Sequence, residues 1–152
     1  MDTISRQPNK VIFKTEADQS LINAIRRYVN QIPILAIDEV EISKNGSALY
    51  DEVVAHRTGL VPLKMEKGKT KNSTATLKLS SKKEGSVKSG EIKGSVEPVY
   101  DDIPITFLDK NQEIELVANV RAGKGVEHVK FSPGLLFYRN ITEISLDKSL
   151  LD

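Results

Sequence analysis

The chain of 152 residues contains no cysteine, no tryptophan and only two histidines. The missing cysteines exclude disulfides, iron–sulfur clusters and thiolate zinc sites, and two histidines alone do not predict a zinc site. Long apolar runs are also missing: none approaches the ~18 residues that a membrane span needs, and no apolar secretion core opens the chain. We therefore expect a cytoplasmic protein with no metal, no cofactor and no membrane contact.

The near-neutral net charge of +1 hides a basic segment at residues 64–93. This segment holds nine lysines and three glutamates, an excess of six, so the rest of the chain carries −5. Such a segment could bind nucleic acid phosphates. The alternative is a solvated hairpin whose lysines protect an edge strand. The absence of aromatic residues and arginine in this segment favours the hairpin.

The N-terminal part has the pattern of an amphipathic helix. Thr15 offers an N-cap with Asp18 three residues later, and Pro33 ends the pattern. Apolar residues recur at helical spacing and predict about four turns, at Leu21, Ile25, Tyr28 or Val29, and Ile32. Off this stripe lie Asn23, Arg26, Arg27 and Asn30. The arginines either point to water or meet acceptors on a partner protein, and composition alone leaves both open.

The remaining segments are mostly β in character. Alternating or Ile/Val-rich runs predict strands at residues 10–13, 34–43, 74–79 and 113–120, with further strand-like residues at 134–144. Asn45-Gly46 is a turn signal, and residues 51–59 fit a second helix closed by Gly59. The predicted fold class is α+β, a helix-bearing N-terminal part followed by a mostly β remainder.

Only one pair of side chains suggests acid–base chemistry. Glu52 and His56 stand at i and i+4 in the second predicted helix, so they share a face and could transfer a proton. A small hydrolase would also need a nucleophile, and no serine or cysteine context accompanies the pair. We expect His56 to be structural instead, bonded to a buried carbonyl.

Three runs together resemble the D-type subunits of archaeal RNA polymerase. They are "NAIRRYVNQIPILAIDEVEI", "NGSALYDEVVAHRTGLVPL" and "GKGVEHVKFSP", in family order and framing nearly the whole chain. That family is similar to the third-largest subunit of eukaryotic RNA polymerase II and to the N-terminal domain of the bacterial alpha subunit. The resemblance implies a non-catalytic assembly subunit, with the catalytic residues of the polymerase on other subunits.

The resemblance also implies partners. Family members pair with a smaller alpha-like subunit of the L type, and the pair is a platform for the second-largest subunit and for small zinc-containing subunits. DNA is then contacted only indirectly, through the assembled polymerase. The competing function is an autonomous nucleic-acid-binding module that uses the lysine-rich residues 64–93.

Residue roles follow from the same match. The resemblance assigns the large-subunit interface to Arg26, Arg27, His56, Arg57, His128 and Lys130. It assigns the heterodimer seam and core to Leu21, Ile25, Val29 and Ile32. The implied architecture is an alpha-like dimerisation domain, with a helix on an antiparallel sheet, at residues 1–45 and again from 141–152, interrupted by a mostly β domain at 46–140. The family's cysteine-rich insertion is excluded by the absence of cysteine, and we expect the family's closing dimerisation helix to be missing after Asp152.

Overall fold

The computed structural model describes residues 2–65 and 74–145. The chain divides into two compact units, Met1–Arg27 with Leu135–Asp152, and Tyr28–Gly134. Two α-helices and several antiparallel strand pairs make up the described residues, so the predicted α+β class is confirmed. No helix among these residues has the length and apolar character to cross a bilayer.

The first unit contains a strand pair and most of a helix. Strands β1 (Asp2–Gln7) and β2 (Lys10–Lys14) pair antiparallel, and helix α1 spans Gln19–Tyr28. Asp18, not the predicted Thr15, caps this helix: its Oδ1 accepts a hydrogen bond of 2.8 Å from the Ser20 N–H. Because the carboxylate satisfies one of the free N–H groups of the first turn, the helix begins later than predicted.

The end of the predicted helix also differs. Val29–Gln31 form a 3-10 turn, and Ile32 has the extended backbone (ψ 119°) that the residue before a proline favours. The α-helical part is therefore ten residues long, shorter than the predicted four turns. Pro33 ends the pattern as predicted, and strand β3 follows at once.

The second unit is mostly β-sheet. Its elements are β3 (Ile34–Asn45), α2 (Asp51–Gly59), β4 (Ala75–Ser81), β5 (Gly85–Lys88), β6 (Lys93–Gly94), β7 (Pro104–Leu108) and β8 (Ile114–Gly123). One sheet has the order β3-β8-β4-β6, and β5 pairs separately with β7. Helix α2, which the sequence predicts with the correct bounds, packs on β3 and β7.

The core of this unit lies between its sheets and α2. Alternate residues of β4 and β8 point inward, so that the buried positions of β8 repeat every second residue, as a half-buried strand requires. The fully buried apolar residues include Ile37, Val54, Leu77, Leu79, Ile105, Ile114 and Leu116. This core is what makes the second unit self-contained.

Two strand predictions are wrong. Residues 134–144 form no strand in the structure, because no neighbouring strand supplies ladder partners for them among the described residues. The lysine-rich segment is not one hairpin, since β4 pairs with β8 and β6 while β5 pairs with β7. Residues 66–73 of that segment, and 146–152 of the predicted return to the dimerisation domain, lie outside the described residues.

Gly94 tests the packing of the edge strand β6. A Cβ built on Gly94 would stand 2.5 Å from Leu77 Cδ2 and 2.8 Å from the Thr76 carbonyl oxygen. Because the Thr76 backbone cannot move aside freely, Gly94→Ala should lower the free energy of unfolding by about 1–3 kcal/mol, as overpacking does. Urea denaturation measures this.

Gly134→Ala is the control for this substitution. A Cβ on Gly134 would meet no atom within 4 Å. The control should leave the denaturation midpoint unchanged or slightly higher. Equal stability of the two variants would show that β6 is not packed against β4 as described.

Candidate functional site

A β-bulge in β3 organises the site. β3 and β8 pair through Ile37↔Val120 and then Glu39↔Asn119, which leaves Asp38 as an extra residue. A bulge of this kind re-aims the side chain of the extra residue. The sequence contained a signal for it, because the inward-facing positions shift from odd numbers (Leu35, Ile37) to even numbers (Val40, Ile42) across Asp38.

The Asp38 carboxylate binds two cations. Arg121, on β8, donates from Nε to Asp38 Oδ2 at 2.6 Å. Lys130 donates from Nζ to Asp38 Oδ1 at 2.7 Å and to the Asp38 carbonyl oxygen at 3.4 Å. We call these residues, with Glu127, the Asp38 cluster; Glu127 accepts from Arg121 Nη1 at 3.1 Å. Asp38 and Arg121 were not among the residues predicted from the sequence.

The Asp38 cluster is only partly open to water. The Lys130 side chain is 15% exposed and that of Asp38 28% exposed. Hydrogen bonds from Lys130 and Arg121 hold the pKa of Asp38 below its ordinary value of 3.8. The same carboxylate, followed by Glu127, raises the pKa of Arg121. Asp38 and Arg121 are therefore charged near neutral pH.

An aromatic ring completes the cluster. Phe131 is fully buried, and its ring lies 4.6 Å from the Arg121 guanidinium carbon and 5.1 Å from Lys130 Nζ. Such distances are typical of cation–π contacts. A Cβ on Gly123 would approach three ring atoms of Phe131 at 2.8 Å. Gly123 therefore lets the ring pack directly on the end of β8.

The loop between Gly123 and Phe131 is internally bonded. Glu127 N–H donates to the Lys124 carbonyl oxygen at 2.9 Å, and Glu127 Oε1 accepts from the Lys124 N–H at 3.3 Å. His128 caps the 3-10 turn Val129–Phe131, its Nδ1 accepting from the Lys130 N–H at 3.2 Å. In this geometry Nδ1 carries no proton. His128 and Lys130, both predicted as interface residues, thus belong to one ordered loop.

The other predicted interface residues of this unit lie on α2. His56 lies on the exposed side of α2, so the expectation that it bonds a buried carbonyl is wrong. Arg57 donates from Nη1 to the Ile105 carbonyl oxygen at 3.3 Å. Among the residues that the structure describes, no hydrogen bond joins His56 to Glu52, which leaves the proposed proton-transfer pair without support.

The predicted residues of α1 are all exposed. Leu21 is 54% and Ile25 48% exposed, and no residue of α1 is buried. Arg26 donates from Nε and Nη2 to Asn23 Oδ1, one turn back, at 3.2 and 3.0 Å. Arg27 is exposed. Val29 and Ile32, predicted on the same stripe, follow in the second unit, half-buried and exposed respectively.

Within residues 2–65 and 74–145, no group of three or more His, Asp or Glu side chains is placed to hold a metal ion. The charged groups of the Asp38 cluster are satisfied by one another. What remains at the surface is an ordered loop and several exposed apolar side chains, which suit contact with another protein.

Residues 40–136, more than half of the chain, match the family described as "RNA polymerase Rpb3/RpoA insert domain". The chain belongs to this family. The matched range contains α2, strands β4 to β8, and the whole loop that carries His128 and Lys130.

Relatives of the Rpb3/RpoA family that the chain matches include archaeal subunits named DNA-directed RNA polymerase subunit Rpo3. The Thermococcus kodakarensis protein is 34% identical over 98% of this chain, and the Pyrococcus horikoshii protein 35% identical over 93%. This chain spans 62% of the length of each of these two relatives. The Methanocaldococcus jannaschii protein is 34% identical over 91% of this chain and 73% of its own length.

The lowered pKa of Asp38 predicts an acid-sensitive contribution to stability. The Asp38 interactions stabilise the fold fully when the pH is above 3.8, the ordinary pKa that Asp38 has in the unfolded chain. This stabilisation is lost as the pH falls through the lower pKa that Asp38 has in the folded chain. Asp38→Asn should therefore be less stable than the wild type at neutral pH, by about 1–3 kcal/mol, because Lys130 loses its charged partner. The difference should shrink below about pH 4. Denaturant unfolding at several pH values measures both effects.

Glu113→Gln is the matched control. Glu113 also joins two cations, Lys44 at 3.0 Å and Lys82 at 2.9 Å, but these lysines are 48% and 74% exposed. Because solvent screens the cations, this substitution should change stability less than Asp38→Asn at neutral pH. A neutral-pH stability of Asp38→Asn equal to that of the wild type would contradict the described cluster.

Proposed function

We propose that this chain is a non-catalytic assembly subunit of DNA-directed RNA polymerase. It pairs with an L-type alpha-like subunit, and the pair binds the second-largest subunit and small zinc-containing subunits. The residues that add nucleotides lie on other subunits, and DNA is reached only through the assembled enzyme in the cytoplasm. Residues 1–45 and 141–152 would belong to the dimerisation domain, and 46–140 to the inserted domain.

One observation carries this proposal: the first unit buries none of its described residues. In residues 2–27 and 135–145 no side chain is buried, although the unit contains many large apolar residues. The exposed ones are Ile4, Val11, Ile12, Phe13, Leu21, Ile25, Leu135, Phe137, Tyr138, Ile141 and Ile144. Apolar surface of this extent is typical of a protein interface. An obligate partner subunit would cover it.

The helix α1 supplies the proposed heterodimer seam. Leu21 and Ile25 are one turn apart, share a face and are about half exposed. A partner helix or sheet that covers them would remove apolar area from water, which favours association. Val29 and Ile32 extend the predicted stripe. The occupant that we propose for this seam is the L-type subunit.

The arginines of α1 supply part of the proposed large-subunit interface. The Asn23 contact holds the Arg26 guanidinium along the helix surface. Arginine forks suit bidentate contacts with carboxylates, and lysine does not reproduce that geometry. Arg57, His56 and His128 are further residues that we propose for this interface, and Lys130 is proposed to support it from within the chain.

Replacing both arginines tests their role. Arg26→Ala/Arg27→Ala should change the free energy of unfolding by under about 1 kcal/mol, because both side chains are exposed. Capture of the second-largest subunit should weaken by about 2–5 kcal/mol, the cost of leaving its carboxylates unpaired. Pairing with the L-type subunit should survive. Stepwise reconstitution, scored first for the pair and then for capture, measures these outcomes.

A control with the same charge change is Arg6→Ala/Arg139→Ala, which removes two exposed arginines from the same unit. It should capture the large subunit like the wild type. If the α1 double variant unfolds, its arginines stabilise the fold. Normal capture by that variant would mean that the arginines are only solvated.

Leu21→Ser/Ile25→Ser tests the seam. The substitutions should leave stability of the isolated chain nearly unchanged, since both positions are already exposed. Pairing with the L-type subunit should weaken by about 2 kcal/mol or more, as expected when central apolar contacts of an interface are lost. Analytical ultracentrifugation of equimolar mixtures measures the dissociation constant.

Phe107→Ser is the control for the seam variant, because Phe107 on β7 is 62% exposed and lies outside the proposed seam. It should pair like the wild type. Equal loss of pairing in both variants, or none in either, would contradict the assignment of the seam to α1.

The alternative function is nucleic-acid binding by residues 64–93. The exposure of Lys78, Lys83, Lys88 and Lys93 favours it, whereas Lys82 is engaged with Glu113. A binding module should hold duplex or single-stranded nucleic acid by itself, with affinity that falls steeply as salt is added. Gel-shift titration of the isolated chain at two salt concentrations separates the two functions, because an assembly subunit alone should not bind nucleic acid.

A further inference from the structure

We infer that Asp38, Arg121 and Lys130 are positioning residues, which hold residues 124–129 as a preformed contact surface for the second-largest polymerase subunit. We call residues 124–129 the contact loop. The inference rests on the proposed function, because that function supplies the partner. It adds Asp38 and Arg121 to the residues on which the proposed interface depends, and it gives Lys130 a role within the chain.

The contact loop is anchored at its start. Gly123 lies against the buried Phe131 ring, and Gly125 lies against Asn30, whose Oδ1 would stand 2.7 Å from a Cβ at position 125. The same Asn30 Oδ1 accepts a hydrogen bond of 3.2 Å from Ser132 Oγ, beyond the other end of the loop. One asparagine therefore touches the chain at the start of the contact loop and beyond its end.

The Asp38 cluster fixes the middle and the end of the loop. Arg121 reaches Glu127 at the centre of the loop, and Lys130 reaches Asp38 directly after it. Both cations converge on the one carboxylate that the bulge in β3 presents. Neutralising Asp38 would remove a charged partner from Arg121 and from Lys130 together. The loop would then keep its glycine and asparagine contacts, its internal hydrogen bonds and the Arg121–Glu127 bond, but Arg121 and Lys130 would no longer be held to β3 by a carboxylate.

The contact loop presents two apolar side chains among polar ones, since Lys124 and Glu127 are exposed as well as its valines. Val126 is 61% and Val129 70% exposed, and the exposed His128 lies between them in sequence. Because Nδ1 accepts a hydrogen bond within the turn, the His128 ring has Nε2–H to offer a partner. Two valines and one donor fit a protein surface with an apolar patch and an acceptor. A nucleic acid is the poorer match, because the loop has one exposed lysine, one exposed glutamate and no Phe, Tyr or Trp on which a base could stack.

Preorganisation is the physical reason for such a cluster at an interface. A loop that is already ordered loses little conformational freedom when it binds, so more of the contact energy appears as affinity. The Lys130 ammonium is too enclosed to meet a partner directly, with its side chain 15% exposed. Lys130 therefore acts on binding through the loop.

The test uses the full chain paired with an L-type subunit, with Asp38→Asn, Lys130→Gln and the control Glu113→Gln. Amide hydrogen exchange of residues 123–132 reports the order of the loop. Capture of the purified second-largest subunit reports binding. Val126→Ser/Val129→Ser is added as a variant that changes the loop surface without touching the cluster.

We expect Asp38→Asn and Lys130→Gln to raise exchange in residues 123–132 by about tenfold or more, as local opening becomes easier. Capture should weaken about tenfold in parallel, the cost of ordering the loop at binding. Glu113→Gln should change neither. The valine variant should weaken capture while exchange stays at the wild-type rate.

Unchanged exchange in both cluster variants would overturn the positioning role. Faster exchange with normal capture would overturn the contact surface, while the proposed function would stand because the wild-type pair still captures the large subunit. Failure of the wild-type pair to capture it would overturn the proposed function itself. If Asp38→Asn unfolds globally, the same measurements on Lys130→Gln and on the valine variant test the inference, because both of these variants keep the Asp38 carboxylate on β3.

Discussion

The pairing of β3 with β8 is the constraint on which the rest of the second unit depends. Strand β8 pairs with β3 on one side and with β4 on the other, so β8 fixes the register of both neighbours. The same pairing creates the bulge at Asp38 and places Arg121 beside it. Through Arg121 and Lys130 the pairing also determines where the chain runs after β8. The loop of residues 124–129 is thus a consequence of strand register.

The two units differ in what they bury, and this difference relates the fold to its proposed role. The second unit has a continuous apolar core, and the family match at residues 40–136 falls almost wholly within it. The first unit has no buried described residue and exposes apolar side chains on β2 and α1. A self-contained unit joined to one whose described residues form no core suits the proposed assembly role, because a partner can cover the exposed apolar side chains.

The sequence predicted the periodic elements better than the site. The α+β class, the bounds of α2 and the strands at β3, β4 and β8 follow from apolar spacing, which is a local property. The start of α1 was misplaced because Asp18 and Thr15 are both good caps, and only the fold selects one. Asp38 and Arg121 are 83 positions apart, so their pairing depends on register. The phase shift around Asp38 was the one local sign of the bulge. The expectation that His56 bonds a buried carbonyl was wrong because the burial of a helix face depends on which other elements pack on it.

Hydrogen exchange of the chain alone and with an L-type subunit tests most directly whether a partner completes the first unit. We expect strong amide protection in β3, β4 and β8 of the isolated chain, and weak protection in β1, β2 and α1, because few apolar contacts hold them. On addition of the L-type subunit, protection should rise in α1. Equal protection of both units in the isolated chain, or no change in α1 on addition of the subunit, would contradict the claim that a partner completes the first unit.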